Sequence, residues 1–183
     1  MKKLLFILAI IALFISCNKD DDPTPTPVNP VEQLPPATQN GAVMLACTVN
    51  GIPYICKDYS QVTSYYQWVN GGYGFVITGR KKTSLIWSIF LSNLGNSPIE
   101  SNNTYILNSN NPGYGAGADV VDFNSNTIER SKTTATYTGE MTITKFDVQN
   151  EIVSGTFWFD IQNPWTGEKI EIRDGRFDTR FSQ

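Results

Sequence analysis

Ser154-Gly155-Thr156-Phe157-Trp158-Phe159-Asp160-Ile161-Gln162, followed directly by Asn163-Pro164-Trp165-Thr166-Gly167, is the stretch on which the fold turns. Its alternation puts Gly155, Phe157, Phe159 and Ile161 on one face and Thr156, Trp158 and Asp160 on the other, the period of a half-buried strand. In the five residues after it, Pro sits where a type I turn wants φ near −65° and Gly where the exit needs a left-handed residue. So short a connection joins antiparallel neighbours, and 168–181 reads as the returning strand. Farther out, Asn50-Gly51 and Asp174-Gly175 each supply the positive-φ pair of a two-residue type I′ turn. The second of these turns predicts Arg173 opposite Arg176, Glu171 opposite Asp178 and Lys169 opposite Arg180, with Ile172 facing Phe177 on the apolar side.

The remaining chain carries no long apolar pattern of period 3.6. Runs of β-branched and aromatic residues recur instead, near 43–49, 52–57, 62–69, 73–79, 84–92, 104–107, 119–123, 133–146, 152–162 and 168–181, with Gly, Asn and Pro between them. Segment 84–92 is apolar on both parities and reads as a central strand covered on both faces, whereas 95–118, rich in Asn and Gly, reads mostly as loop. The expected fold is all-β: a single antiparallel meander domain over 41–183, closed as a β-barrel or packed as a β-sandwich of about nine to ten strands.

The amino terminus speaks to location. Lys2 and Lys3 precede an apolar run from Leu4 to Ile15, which as a helix would span only about 18 Å against a hydrocarbon core of about 30 Å. That is a secretion signal over 1–16 and too short for a membrane span. Its end at Ser16-Cys17 resembles the lipobox of bacterial lipoproteins, which implies that Cys17 is acylated. The next residues, Lys19, Asp20, Asp21 and Asp22, are similar to the export signal of surface lipoproteins of Bacteroidota. This likeness implies an outer-membrane, lipid-anchored protein exposed at the cell surface, with the periplasmic face as the alternative. Pro23, Pro25, Pro27, Pro30, Pro35 and Pro36 make 17–40 a lipidated cysteine and Pro-rich tether, able to reach roughly 70 Å at about 3.1 Å per residue.

Two blocks carry a family resemblance. Leu34-Pro35-Pro36-Ala37-Thr38-Gln39-Asn40-Gly41 with Cys47, Val49, Asn50 and Gly51 is similar to the mature start of an uncharacterised lipoprotein family of Bacteroidota. The segments 142–147, 154–159 and 163–168, together with Asp174-Gly175-Arg176-Phe177-Asp178, resemble that family's closing strands. The resemblance implies location and fold, and it assigns no active residue.

Composition narrows the chemistry. With 0 histidines the chain lacks the usual neutral-pH base and the Ser-His and Cys-His nucleophile systems. A net charge of −3 supplies no attraction to nucleic acid phosphates. Carboxylate pairs of the glycosidase kind are not evident: Asp119 and Asp122 fall on opposite faces of a strand, and no register joins Glu140 to Asp160. Cys47 and Cys56 flank the Asn50-Gly51 turn, which pairs 47 with 54 and 45 with 56 and leaves the two cysteines diagonal. A disulfide favoured by the oxidising compartment and a pair of buried thiols both stand. The functional lead is aromatic: Tyr65, Tyr66, Trp68 and Tyr73 around Asn70-Gly71-Gly72, with Trp158 and Trp165, offer flat faces of the kind that stack on sugar rings. The expected activity is therefore non-enzymatic, a surface-tethered module binding a glycan or protein. The alternatives are a carboxylate-dependent glycan hydrolase and a barrel holding a small apolar ligand. The expected partners are the membrane, through the N-terminal lipid only, and an extracellular or envelope ligand, with no cofactor, metal or nucleic acid.

Overall fold

The computed structural model describes residues 29–69, 71–93, 98–108, 113–122 and 124–183. The signal segment, Cys17, and Lys19, Asp20, Asp21 and Asp22 lie outside the described residues. Among those described, eleven strands form: β1 (Met44–Val49), β2 (Ile52–Cys56), β3 (Val62–Val69), β4 (Gly72–Arg80), β5 (Ile86–Asn93), β6 (Thr104–Leu107), β7 (Tyr114–Asp122), β8 (Thr127–Lys132), β9 (Gly139–Asp147), β10 (Ile152–Gln162) and β11 (Lys169–Arg180). They make two antiparallel sheets, one ordered β2-β1-β11-β10-β9-β6 and the other β3-β4-β5-β7-β8. Of barrel and sandwich, the chain forms the sandwich. Its interior is packed with Leu45, Tyr54, Phe75, Ile77, Phe159 and Phe177 among others, each essentially inaccessible to water.

Local chemistry explains most of this. Asn50 and Gly51, at φ 48° and 77°, make the expected tight turn, and Leu45 pairs with Cys56 and Cys47 with Tyr54. Both cysteines are free and buried. Between β10 and β11, Asn163 Oδ1 accepts the N–H groups of Trp165 and Thr166, and Gly167 takes the left-handed exit at φ 77°. Segment 114–118 is a strand rather than loop. Its outward Gly117 leaves room for the Phe90 ring from β5, which a Cβ there would approach to 2.6 Å. Strand β8, with the polar sequence Thr-Ile-Glu-Arg-Ser-Lys, sits at an edge and was not among the expected strands.

Asp174-Gly175 is not a hairpin turn. β11 runs unbroken through it, with Phe157 opposite Gly175 and Phe159 opposite Ile172, so that Arg173 and Asp174 together face Trp158 as a β-bulge. Asp174 adopts φ 53° there. The reason is tertiary: Gly175 lies under the Phe157 ring, which a Cβ would approach to 2.6 Å, and Gly155 lies reciprocally under Phe177. The charge partners change accordingly, with Glu171 opposite Asp160, Arg176 opposite Thr156 and Ala46, and Asp178 opposite Ser154 and Met44. Ile172 and Phe177 do not face each other but both stay on the buried face, and Arg173 bonds Glu171 at the surface, whereas Asp178, on the face expected to be charged, is buried.

The end of the Pro-rich segment also differs from a free tether. A short 3-10 helix, Pro30–Gln33, leads into Leu34, which is buried, and Arg176 Nη1 donates to Pro35 O. Asp178, wholly buried, receives five hydrogen bonds, from Thr38 Oγ1, the backbone amides of Asn40, Gly41 and Ala42, and Ser154 Oγ. Burial alone would raise this carboxyl, and the donors outweigh it and hold the group below its ordinary value. The sequence blocks beginning at Leu34 and ending at Asp178 are therefore two halves of one clasp. Leu34 and residues 38–42, at the end of the expected tether, are thus packed on the sandwich, and the amides of Asn40, Gly41 and Ala42 take Asp178 as their acceptor.

Candidate functional site

The inner face of the β3–β4 hairpin builds the site. Val62, Ser64 and Tyr66 point inward on β3 and are buried, yet Trp68, on the same face one pair further along, is 63% exposed. Tyr73, directly opposite Trp68 and in line with buried Phe75 and Ile77, is 37% exposed. The opposing sheet therefore stops short of the hairpin tip and leaves core-type positions open to water. Tyr66 and Tyr73 stack with centroids 4.9 Å apart and planes at 2°, and Trp68 meets Tyr73 edge-to-face at 4.9 Å. Phe146, from the end of β9, meets Tyr66 edge-to-face at 4.8 Å and stacks on Phe181.

Tyr66, Trp68, Tyr73 and Phe146 wall a cleft of about 760 Å³ at the open end of the sandwich, with Gln67, Ile99, Glu100, Val148 and Gln183 also among its lining residues. Its floor is held firmly. Ile99 is buried, Glu100 N donates to Tyr105 Oη at 2.8 Å, and Asn103 Nδ2 donates to Glu100 Oε2 at 2.9 Å. Phe146 N donates to Ser101 Oγ, which ties the same loop to β9. Burial, together with neighbouring Tyr73 and Tyr105, pushes the Tyr66 hydroxyl up to about 12, so it stays a neutral phenol at any physiological pH.

Of the sequence candidates, the fold brings Tyr66, Trp68 and Tyr73 together and disperses the others. Tyr65 points outward from the opposite face of β3, beside the bridge its strand makes with Ser182. Trp165 is at the tip of the β10–β11 turn, joined to Asn163 through its own N–H. Trp158 is on the outer face of the six-stranded sheet, where Arg173 lies 5.4 Å over its ring and its Nε1 donates to Glu140. Phe146, Ile99 and Glu100 were not anticipated. They arrive from distant segments, and no local pattern marks them.

The carboxylates named from sequence are occupied. Asp119 accepts from Arg130 and from Ser88 at 2.6 Å, and those bonds outweigh the effect of burial and lower its pKa. Asp122 closes a local turn by accepting from Asn124 N and Ser125 Oγ. Asp160 pairs with Arg173 at 2.6 Å and lies near Lys169, while Glu140 takes the Trp158 bond. The thiols are equally withdrawn, for burial pushes Cys47 far up and Cys56 up to about 11.

A family model described as a domain of unknown function, DUF6252, matches residues 62–179. The chain belongs to the DUF6252 family. Comparison with curated proteins and with solved structures returns no match. In this DUF6252 chain the matched region opens at the first residue of β3 and closes in β11, one residue after Asp178. It therefore includes the aromatic hairpin, the 98–103 loop and the bulge. It also takes in the middle of the chain, which the sequence resemblance did not reach. The expected kinship with an uncharacterised family holds at that level.

Proposed function

We propose that this DUF6252 domain is a binding module whose ligand enters the Trp68–Tyr73–Tyr66 cleft, and that an acylated Cys17 tethers it to the outer membrane facing outward. The observation that carries the reading is the exposure of Trp68 and Tyr73 on the inward face of their hairpin. A fold that stops short of covering large rings on its core-facing side leaves apolar area that a ligand can bury, at about 25 cal/mol per Å². The volume falls in the range of small-ligand sites.

Binding is better supported than hydrolysis. Among the described lining residues the cleft presents one side-chain carboxylate, that of Glu100, whereas glycoside hydrolysis by the common routes needs two flanking the scissile bond. The small-apolar-ligand reading is less supported, since it needs a hollow interior where this sandwich is packed with aromatic and aliphatic side chains.

Arrays of glycans and extracellular proteins probed with wild type and Trp68→Ala test the proposal. The expected result is at least one ligand retained by wild type and lost by Trp68→Ala at unchanged melting temperature. Ligands held equally by both proteins, or none at all, would overturn it.

A further inference from the structure

We infer that the ligand of this cleft is an uncharged oligosaccharide, with a pyranose ring stacked on Trp68 and anionic sugars disfavoured. The inference rests on the cleft being the ligand site and adds the chemical class. Three features argue for it. First, the exposed rings of the cleft are a flat indole beside a phenol, with aliphatic Pro98 and Val148 also exposed there, and such a ring pair suits the C–H face of a sugar ring. Second, the polar residues that line the cleft beside the rings include Gln183 and Glu100, whose amide and carboxylate offer donors and acceptors of the kind vicinal hydroxyls require. Third, among the described residues lining the cleft there is no lysine or arginine. Among the described lining residues the one charged side chain is Glu100, which is exposed and accepts from Asn103, so a uronate or sulfated sugar would bring a second negative charge near its carboxylate.

Size argues against a protein partner. A stable protein interface takes about 800 Å² from each side. The exposed large hydrophobic side chains lining the cleft are Trp68, Tyr73 and Val148, set in a concave site of about 760 Å³.

The test is titration calorimetry on the full chain in mild detergent, with neutral cello-, malto-, manno- and xylohexaose and anionic hexagalacturonate as probes. At least one neutral hexasaccharide is expected to bind, and Trp68→Ala is expected to weaken it by about tenfold or more without changing the melting temperature. Hexagalacturonate is expected to bind about tenfold more weakly than the best neutral probe, and Glu100→Gln to narrow that gap to about threefold or less. No neutral binder, or tighter binding of the uronate, overturns the inference. A protein or anionic polysaccharide bound in a Trp68-dependent way overturns the neutral-sugar class and leaves the cleft as the site. Neutral-sugar binding untouched by Trp68→Ala overturns both.

Discussion

Asp178→Asn keeps the size of the buried side chain, removes its charge and turns one acceptor atom into a donor. Oδ1 accepts from Gly41 N and Ser154 Oγ, and Oδ2 from Thr38 Oγ1, Asn40 N and Ala42 N. An asparagine amide nitrogen at the Oδ2 place would face two backbone N–H groups, neither of which can turn away. At the Oδ1 place it would face only Gly41 N, because the Ser154 hydroxyl can rotate and accept. The second orientation wins, and it leaves one buried amide unpaired at a cost of about 1–3 kcal/mol. The remaining bonds fall from charge-assisted to neutral strength, partly offset because a charge is no longer buried. The expected loss is about 2–4 kcal/mol at pH 7, or about 5–15 °C in melting temperature for a domain of this size.

Denaturant titration at several pH values reads this clasp directly. The folded pKa of Asp178 lies below its ordinary value of 3.8, so its contribution is fully present above the unfolded pKa and is lost as pH falls through the folded one. The gap between wild type and Asp178→Asn should therefore stay constant from pH 7 to about 5 and close below about pH 4. A variant within about 0.5 kcal/mol of wild type at pH 7, or a gap that does not narrow in acid, would refute the reasoning.

Other outcomes follow from the same physics. Cys17→Ala should release the protein from the membrane fraction, and an unacylated native Cys17 found by mass spectrometry would contradict the lipid anchor. Replacing Asp20, Asp21 and Asp22 by alanine should keep the lipid but lower labelling of whole cells by an impermeant reagent. Cys47 and Cys56 should resist thiol reagents at pH 8 in the folded protein and react on denaturation, since burial holds both thiols protonated; rapid labelling of the native protein would show that they are accessible. Gly155→Ala should cost about 1–3 kcal/mol, because its Cβ would press on Thr142 O and the Phe177 ring. Equal stability by thermal melting would mean that the sheet yields more easily than its packing indicates.

The aromatic site was half legible. Tyr66, Trp68 and Tyr73 lie within one hairpin, so their spacing alone puts them near one another, and β3 and β4 follow from their alternation. Phe146, Ile99 and Glu100 reach the same cleft from β9 and from the loop before β6, and nothing local distinguishes Phe146 from any other strand aromatic. Trp158 shows the converse. It shares the composition cues of the cleft residues, but its parity puts it on the outer face of the other sheet, beneath Arg173.

Turn chemistry and period-two alternation are properties of neighbouring residues, and they were enough for the all-β class, the Asn50-Gly51 hairpin, the Asn163–Gly167 connection and the inward faces of β10 and β11. Asp174-Gly175 carries the same local preference as Asn50-Gly51 and does something else, since the Phe157 ring needs the space over Gly175 and two neighbouring strands hold β11 straight through it. Asp178 likewise reads from sequence as one carboxylate in a charged strand. Only the fold closes the distance to Thr38, Asn40, Gly41 and Ala42 and turns the last of the proline-rich segment into part of the domain. Where a residue's partner lies within a few positions, its role is written in the sequence; where the partner is more than a hundred positions away, packing of the whole sandwich assigns it.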